Sequence, residues 1–380
     1  MTPQSAEVVV VGAGPVGLAV AVELRLHGHS VVVVDKQAEG ANTSRAAVIH
    51  ARTLELLEPS GVSKRLVDEG LKLDDFTIRD GDRRLVPVRF SDLPTAYPFT
   101  LMLPQSQTEQ ILLERLQELG GAVLRPYVAD GVTQTADGAE VTLNTGDVIK
   151  AQYVVAADGM NSTIRDLVGL QMPGDTLQLS FSLVDIRAEG LSADEISLSF
   201  STAGLLVIAP LPDGSFRLVA SVDSAPEHPD LAYAQQLITA RGPRKNSPKV
   251  TEVVWGSRFR IHERVADNYR AGRVLLAGDA AHTHSPAGGQ GMNLGLRDAV
   301  ALADALSAAL TLGDEAGLDL YARNSRVEAL RVIAVAHRLT RLANLPRPVR
   351  PLRNAVLGLA GRLGRTQNNL AKQLAGIPDR

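Results

Sequence analysis

Residues 8–17 read VVVVGAGPVG, and residues 31–35 read VVVVD. The first valine run is typical of a buried strand, and it leads directly into the pattern Gly-x-Gly-x-x-Gly. Between the two runs, Leu18 to His27 has a helical pattern that ends at Gly28, a residue suited to the left-handed turn after a helix. Strand, glycine loop, helix, strand and acidic residue, in this order, predict a Rossmann-type dinucleotide-binding unit. The same unit without a nucleotide is the alternative.

The three glycines and the aspartate of this unit have separate physical roles. Gly12 makes the tight turn, Gly14 allows the backbone to approach a pyrophosphate, and Gly17 lets the helix pack against the strand. Asp35 lies near the spacing of about 20 residues at which a carboxylate accepts a hydrogen bond from a ribose hydroxyl. A lone Gly-x-Gly-x-x-Gly is a weak signal, whereas the full unit is specific.

A second glycine-dense stretch, residues 278–293, reads GDAAHTHSPAGGQGMN. It follows the apolar run Val274–Ala277, a predicted buried strand, and precedes the predicted helix Leu294–Leu310. The loop amides and the first turn of that helix would face an anionic ligand. Asp279 is better suited to accept a hydrogen bond from a hydroxyl than to meet a phosphate. Taken alone, the stretch is equally well explained as a glycine-rich turn with a helix N-cap.

Two other segments leave alternatives open. Residues 153–159, YVVAADG, predict a buried strand that ends in Asp158-Gly159, and an isolated copy of this pattern is usually a plain turn. Arg45 and Arg52 could each neutralise a pyrophosphate or be solvated surface charges. Phe76 to Phe99 contains scattered prolines and predicts an irregular segment or an edge strand, as a first excursion into a second domain.

The middle of the chain has a different pattern from its start. Consecutive strand-like segments without intervening helices predict an antiparallel sheet, which we expect to cover the substrate. Further on, the chain is predicted to be helical, with breaks at Pro346, Pro348 and Pro351, and the basic, amphipathic tail Arg347–Lys372 is predicted to dock on the body as a helical closure. The strand-like segments are residues 177–185, 196–200, 205–210, 216–222 and 253–261.

Composition excludes several classes of protein. The 380 residues carry 39 Lys and Arg against 42 Asp and Glu, so a nucleic-acid partner is not expected. The absence of cysteine excludes disulfides, a thiolate nucleophile and a cysteinyl link to a cofactor. The start lacks the features of a signal peptide, and no apolar run is long enough to span a membrane. We therefore expect a cytoplasmic protein, monomeric or homodimeric, with no membrane partner and no metal.

The separated motifs occur in a fixed order: residues 12–17 with Asp35, then residues 157–159, then residues 278–293. In combination they resemble the flavin-dependent aromatic hydroxylases of the para-hydroxybenzoate hydroxylase type, the group A flavoprotein monooxygenases. The resemblance covers nearly the whole chain. The segments most similar to hydroxylases of phenol, aromatic polyketide and antibiotic metabolism are SRA (residues 44–46), ARTLE (51–55) and GGQGMN (288–293).

The resemblance implies non-covalent FAD and an α/β fold in which a Rossmann-type FAD-binding domain is interleaved with an antiparallel β-sheet substrate domain and followed by a C-terminal helical segment. Several phenol-type relatives carry an extra thioredoxin-like C-terminal domain; from its 380 residues this chain is expected to lack one, and relatives without it exist. The predicted ranges are 1–75, 99–172 and 273–330 for the FAD-binding domain, 76–98 and 173–272 for the substrate domain, and 331–380 for the helical segment.

Cofactor-binding roles are implied at the matching positions. Asp35 would bind the adenosine ribose, where the family usually has Glu, and Arg45 the pyrophosphate region. Gln105 would lie beside the flavin, Asp158 would belong to a fingerprint for FAD and NAD(P)H, and Asp279 would bind the ribityl chain. The full predicted set is Gly12, Gly14, Pro15, Gly17, Asp35, Lys36, Arg45, Gln105, Asp158, Gly278, Asp279, Pro286, Gly289, Gly291, Met292 and Asn293.

By the same resemblance, NAD(P)H reduces FAD, and O2 reacts through 4a-hydroperoxyflavin to hydroxylate a phenolic or polyketide-like aromatic molecule. The protein would position the substrate and exclude water. Pro286 is expected at the reaction cavity over the flavin, and His284 is a candidate cavity-lining catalytic group, whereas His282 is expected to have no chemical role. NADH and NADPH stay equally open.

Other functions on the same scaffold remain possible from the sequence: Baeyer–Villiger oxidation, epoxidation, antibiotic inactivation, or a non-catalytic FAD protein that holds a labile ligand. A flavin-dependent halogenase is disfavoured because its Trp-x-Trp-x-Ile-Pro motif is missing and Trp255 is the only tryptophan. Fold alone does not decide among these alternatives.

Overall fold

The fold is known from a computed structural model that describes residues 3–40, 46–201, 203–285, 288–343 and 345–377. The helices are α1 (Pro15–Leu26), α2 (Ala51–Leu57), α3 (Val62–Glu69), α4 (Gln105–Glu118), α5 (Thr163–Leu167), α6 (Leu231–Arg241), α7 (Gln290–Leu312), α8 (Ala316–Ala343), α9 (Arg350–Ala360) and α10 (Gly364–Ala375), with short 3-10 helices at Gly278–Ala280 and Arg347–Val349. The strands are β1 (Val8–Val11), β2 (Val31–Val34), β3 (Val48–Ile49), β4 (Leu71–Leu73), β5 (Asp75–Asp80), β6 (Arg83–Arg89), β7 (Thr100–Met102), β8 (Val123–Leu124), β9 (Ala129–Gln134), β10 (Ala139–Leu143), β11 (Val148–Ala151), β12 (Tyr153–Ala156), β13 (Gly174–Glu189), β14 (Glu195–Ser201), β15 (Gly204–Pro210), β16 (Phe216–Val222), β17 (Lys249–Val265), β18 (Arg270–Ala271), β19 (Val274–Leu276) and β20 (His282–Thr283).

A six-stranded sheet forms the centre of the first layer, in the order β18-β19-β12-β1-β2-β8. Strands β19, β12, β1, β2 and β8 are parallel, and only β18 pairs antiparallel, with β19. The valine run of β1 is buried throughout, as expected for a parallel strand covered on both faces. The Rossmann-type unit is therefore present, and a three-stranded antiparallel sheet of β9, β10 and β11 accompanies it.

The second layer is an eight-stranded sheet in the order β20-β17-β13-β16-β15-β14-β5-β6. Its pairs are antiparallel except β14 with β5. The proline-containing segment after Phe76 forms β5 and the edge strand β6, where Pro87 is tolerated. One face of the sheet packs against α6 through Val184, Leu206 and Leu218, and Asp185 and Phe181 are on the opposite face because side chains alternate along a strand.

Several boundaries differ from the sequence-based expectation: α1 begins at Pro15 instead of Leu18, β13 spans Gly174–Glu189 instead of 177–185, and β17 spans Lys249–Val265 instead of 253–261. Helix α7 begins at Gln290, four residues before Leu294, because Gly289 at φ +63° makes the turn and the glycines after it still accept helical geometry. Helix α4 begins at Gln105 instead of Thr108. Pro351 does not break a helix; it lies in the first turn of α9, where its missing N–H costs nothing.

The C-terminal helices α9 and α10 dock on β6, as the sequence predicts, and Ala371, Leu374 and Ala375 of α10 are buried. Within the described ranges, no helix is long and apolar enough to cross a membrane. The assignment of residue ranges to three domains stays a prediction.

Candidate cofactor and substrate site

The carboxyl ends of three neighbouring parallel strands bring the three motifs to one edge of the sheet. The Ala157 N–H donates to the Val11 carbonyl at 2.8 Å, and the Ala277 N–H donates to the Ala156 carbonyl at 3.0 Å. Residues separated by more than 260 positions therefore meet where an open α/β sheet has its ligand crevice. The predicted convergence of the three motifs is thus seen at the level of the backbone.

The first glycine loop fits a pyrophosphate. Gly12 has φ +105°, and a Cβ there would lie 2.3 Å from the Ala157 carbonyl oxygen. A Cβ on Gly17 would lie 1.9 Å from the Gly12 carbonyl oxygen, so α1 packs on the loop only through glycine. By contrast, a Cβ on Gly14 would meet no described atom within 4 Å. Gly14 caps α1 without a side-chain hydrogen bond and Pro15 follows it, so the first-turn amides face open space.

Asp35 is held in place by the glycine loop itself. Its carboxylate accepts hydrogen bonds from the Ala13 N–H at 2.7 Å and the Gln37 N–H at 2.8 Å. Arg125, which the sequence analysis did not single out, places Nη1 3.8 Å from Asp35 Oδ1, and that nitrogen is buried without a hydrogen-bond partner among the described residues. Lys36 is exposed at the surface.

Asp158 in the second motif has one carboxylate oxygen in use and one available. Oδ2 accepts from the Ile164 N–H at 3.3 Å, whereas Oδ1 is buried and has no partner in the described structure. Burial raises the pKa of the Asp158 carboxyl above its ordinary value. Arg165 joins this motif to the third one, because its guanidinium donates to the Met160 and Ala280 carbonyls at 3.0 and 3.2 Å.

The third motif packs directly against the first. A Cβ on Gly278 would lie 2.8 Å from the Val16 side chain, and one on Gly295 would lie 2.6 Å from it, so α1 and α7 approach closely through glycines. Asp279 follows in the short 3-10 helix and is exposed, with no side-chain hydrogen bond among the residues described. Its carboxylate is therefore available to ligand hydroxyls.

The N-terminus of α7 is open in the way that an anion or a flavin edge requires. Gly288 and Gly289 have φ +87° and +63°, and α7 has no side-chain cap. A Cβ on Gly291 would have only the His284 ring within 4 Å of the described atoms, at 3.9 Å. The His284 Nδ1–H donates to the Ser285 carbonyl at 2.7 Å, so Nε2 is the acceptor nitrogen, and it is buried without a described partner. Burial lowers the pKa of His284 and favours this neutral form.

Asn293 and Met292, both in the predicted cofactor-binding set, have side chains that make contacts within the protein. The Asn293 amide donates to the Val48 and Gly289 carbonyls and accepts from the His50 N–H and the Thr53 hydroxyl, all at 2.8 Å. Every hydrogen-bonding position of this side chain is occupied by protein, so it fixes the turn before α7. The Met292 side chain lies in the core, which leaves only its backbone for ligand contact.

His50 fixes the same turn from the other side. Its Nε2–H donates to the Gly288 carbonyl at 3.1 Å. Burial, more than any other effect, lowers the pKa of His50 to about 4, so the ring is neutral near pH 7. The sequence analysis missed this residue; its only local signal is a polar side chain between the apolar β3 and α2.

Gln105 lies at the junction of the two layers. The backbone N–H of Gln105 donates to the Ala46 carbonyl at 3.0 Å, and the guanidinium of Arg217, in the eight-stranded sheet, donates to the same carbonyl at 3.1 Å. Arg217 also forms a buried bidentate pair with Asp185, with both N–O distances 2.8 Å. The sheet is thus tied to the chain immediately after Arg45. Arg45 itself and Pro286 lie outside the described residues.

His282 has a structural partner in the third motif. Its Nε2–H donates to Asp298 Oδ2 at 2.6 Å, and both side chains are buried. Asp298 also accepts from the Gly278 N–H at 3.4 Å, and the Tyr269 ring stacks on His282. The pair therefore supports the turn that presents Asp279. Among the described residues, no group of three or more His, Asp and Glu could hold a metal ion.

Comparison with known proteins gives a consistent result. The family model described as FAD binding domain matches residues 5–336. The 6-methylpretetramide 4-monooxygenase of Streptomyces rimosus is 35% identical over 357 residues, which is 91% of this chain and 64% of that protein. The dialkyldecalin synthase of Streptomyces rugosporus is 31% identical over 375 residues, covering 97% of this chain and 80% of that protein. The solved structure of p-nitrophenol 4-monooxygenase PnpA from Pseudomonas putida DLL-E4 has a TM-score of 0.87 at 25% identity, covering 99% and 100% of the two chains. The chain thus spans slightly less than two thirds of the first relative.

Proposed function

Because this chain belongs to the FAD-dependent aromatic hydroxylase family, we propose that it is a monooxygenase that uses FAD, NAD(P)H and O2 to hydroxylate a phenolic or polyketide-like aromatic molecule. The observation that carries the proposal is the convergence of the open α1 and α7 N-termini, Asp35 and Asp279 on one sheet edge. When bound, FAD would take a hydride from the nicotinamide and pass one oxygen atom of O2 to the substrate.

The chain's own residues would bind and orient the cofactor. The α1 N-terminus, with Gly12 and Gly14, would bind the pyrophosphate, and Asp35 would accept from the adenosine ribose. Asp279 would accept from ribityl hydroxyls. The open N-terminus of α7, at Gly289 and Gly291, would face the flavin pyrimidine edge and stabilise negative charge on the reduced ring. Arg45 and Pro286 keep their predicted places at the pyrophosphate and the reaction cavity as part of this proposal.

The face of the eight-stranded sheet that lies opposite α6 would hold the substrate and exclude water from it. Phe181 and Phe259 stack there with ring centroids 5.7 Å apart, next to buried Phe200, Leu205 and Ile261. Helix α10 packs against the same cluster through Leu374. Such a surface fits an aromatic ring system, and its apolar character keeps water from the reaction. The names of the relatives support an aromatic or polyketide-derived substrate.

The first test is anaerobic reduction of the bound flavin by NADPH and NADH, with and without a panel of phenols and polycyclic aromatics. We expect the flavin absorbance to bleach, and to bleach faster with one ligand class, which would identify the substrate class. A flavoprotein that neither nucleotide bleaches under any condition would contradict the monooxygenase. A protein that cannot be loaded with FAD would contradict the cofactor assignment as well.

A second candidate is a FAD protein that binds a reactive ligand and converts it without net oxidation. The observation that favours it is the similarity, over 97% of this chain, to a protein named a dialkyldecalin synthase. Under this alternative the flavin binds and the ligand perturbs its absorbance, but NAD(P)H oxidation does not depend on the ligand.

A further inference from the structure

Helix α9 is attached to the protein by a face on which half-buried Leu357 lies between the buried polar side chains of Arg353 and Asn354. Arg353 and Asn354 are only 5% and 3% exposed. Arg353 donates to the Phe200 and Leu342 carbonyls at 2.8 and 3.1 Å, and Asn354 donates to the Asp80 carboxylate at 2.8 Å. The Arg353 guanidinium also lies over the Phe200 ring at 4.9 Å. These contacts hold the helix firmly in one rotational orientation on the sheet.

The opposite side of α9 is apolar and exposed. Leu352, Val356 and Leu359, together with Leu363 in the turn after the helix, form what we call the outer stripe. Their exposure ranges from 58% to 68%. The spacing of four, three and four residues places them along one side of the helix. A surface helix normally presents polar side chains to water, so an exposed stripe of four large apolar residues is unusual.

The chain segment that contains the outer stripe carries charges of one sign. Between Ala329 and Pro378 the sequence has nine Arg and Lys and no Asp or Glu, although the whole chain has 39 of the former and 42 of the latter. Arg350 is at the start of α9, and exposed Arg362 and Arg365 follow its end. An apolar stripe with cations at both ends matches the pattern of interfacial helices.

Charge decides which occupant fits. A second copy related by a twofold axis would bring Arg350 against Arg350, or against Arg362 and Arg365, with no acidic residue of the segment to neutralise them. The phosphates of a lipid surface can pair with all of these cations while the leucines enter the boundary between headgroups and acyl chains. We propose that the outer stripe docks the protein on the surface of an anionic lipid membrane. This departs from the sequence-based expectation of no membrane partner.

The test is co-sedimentation of the FAD-loaded full chain with vesicles of equal parts phosphatidylglycerol and phosphatidylcholine, and with phosphatidylcholine alone. One double variant is Leu352→Asn with Leu359→Asn; the other is Arg362→Gln with Arg365→Gln. Leu312→Asn, at an exposed leucine at the end of α7, is the matched control. We expect the wild type and the control to bind the anionic vesicles, and each double variant to bind about tenfold or more weakly.

All substituted side chains are exposed, so folding is checked by far-UV circular dichroism and by the flavin spectrum. No binding of the wild type to anionic vesicles would overturn the proposal, as would equal binding by the leucine double variant. A concentration-dependent dimer that the leucine substitutions abolish, without lipid binding, would assign the stripe to a second copy instead. The readout does not involve substrate oxidation, so its outcome is independent of the proposed monooxygenase activity.

Discussion

At the scale of single residues, we expect the replacement of a single atom to have a large effect on stability at Asn293. Its Nδ2 donates to the Val48 and Gly289 carbonyls inside the protein. Asn293→Asp replaces this donor with an oxygen that faces two carbonyl oxygens in a buried site. We expect the free energy of unfolding to fall by about 2–4 kcal/mol, with weaker FAD binding, because two acceptors and a charge are left uncompensated.

Urea unfolding and a fluorescence titration with FAD measure the two effects. Thr53→Val is the control, because it removes only one hydrogen bond to the Asn293 oxygen and should cost about 1 kcal/mol. An Asn293→Asp protein as stable as the wild type would contradict the assignment of the four hydrogen bonds.

The lowered pKa of His50 predicts how the free energy of unfolding depends on pH. Its folded pKa, about 4, is lower than its ordinary value of 6.5, so the unfolded chain binds more protons between these pH values. The stability that this neutral ring contributes is complete above pH 6.5 and is lost as the pH falls towards 4, by roughly 3 kcal/mol in total. His50→Gln should therefore flatten the loss of stability over this range.

The measurement is the free energy of unfolding in urea between pH 4 and 7, as the difference between variant and wild type. The difference is used because buried Glu23 also titrates in this range, since burial raises its pKa to about 7. Glu23 makes stability fall as the pH rises, the reverse of the His50 effect, and it does so in both proteins. Exposed His228→Gln is the control for the substitution itself. An unchanged slope in His50→Gln would show that another group titrates there.

At the scale of elements, the first strand–loop–helix unit separates folding from cofactor binding. A Cβ on Gly17 would collide with the Gly12 carbonyl, whereas a Cβ on Gly14 would enter open space. We expect Gly17→Ala to destabilise the apoprotein by about 2–4 kcal/mol, since α1 must move away from β1. Gly14→Ala should leave apoprotein stability within about 0.5 kcal/mol but weaken FAD binding tenfold or more, because the methyl group occupies the approach to the pyrophosphate.

Thermal unfolding of the apoproteins and FAD titrations separate the two variants. If Gly14→Ala binds FAD as tightly as the wild type, the pyrophosphate does not pass over this glycine.

Whether an element could be predicted from the sequence depends on the kind of signal that specifies it. The valine strands, the first glycine loop and the edge strand with Pro87 could be predicted because their signals are local runs and spacings. The start of α7 could not, since Gly291 in its first turn follows the loop glycines Gly288 and Gly289 and cannot be told from them by sequence. Contacts such as Asn293 with Val48, or Arg125 with Asp35, join distant parts of the chain, and no local pattern indicates them.

At the scale of the whole molecule, the Asp185–Arg217 pair ties the eight-stranded sheet to the chain at Ala46. Arg217→Met leaves a buried carboxylate without its cation, and we expect a loss of about 3–5 kcal/mol in the free energy of unfolding. The double variant Asp185→Leu/Arg217→Met should recover much of that loss, because no unpaired charge remains. Urea unfolding of both variants and of Asp185→Leu completes the double-mutant cycle, and additive losses would contradict a coupled pair.

The order of strands in the central sheet has a consequence for the protein's synthesis. The cofactor edge combines β1, β12 and β19 with the start of α7, which are separated by almost 300 residues of chain. At translation rates of about 5–20 residues per second, roughly 15 to 60 seconds pass between the emergence of β1 and that of α7. During that interval β12 lacks its partner β19, and α1 lacks the helix α7 that packs against it. Apolar surface of the nascent chain therefore stays uncovered until the last part of the cofactor site has been made.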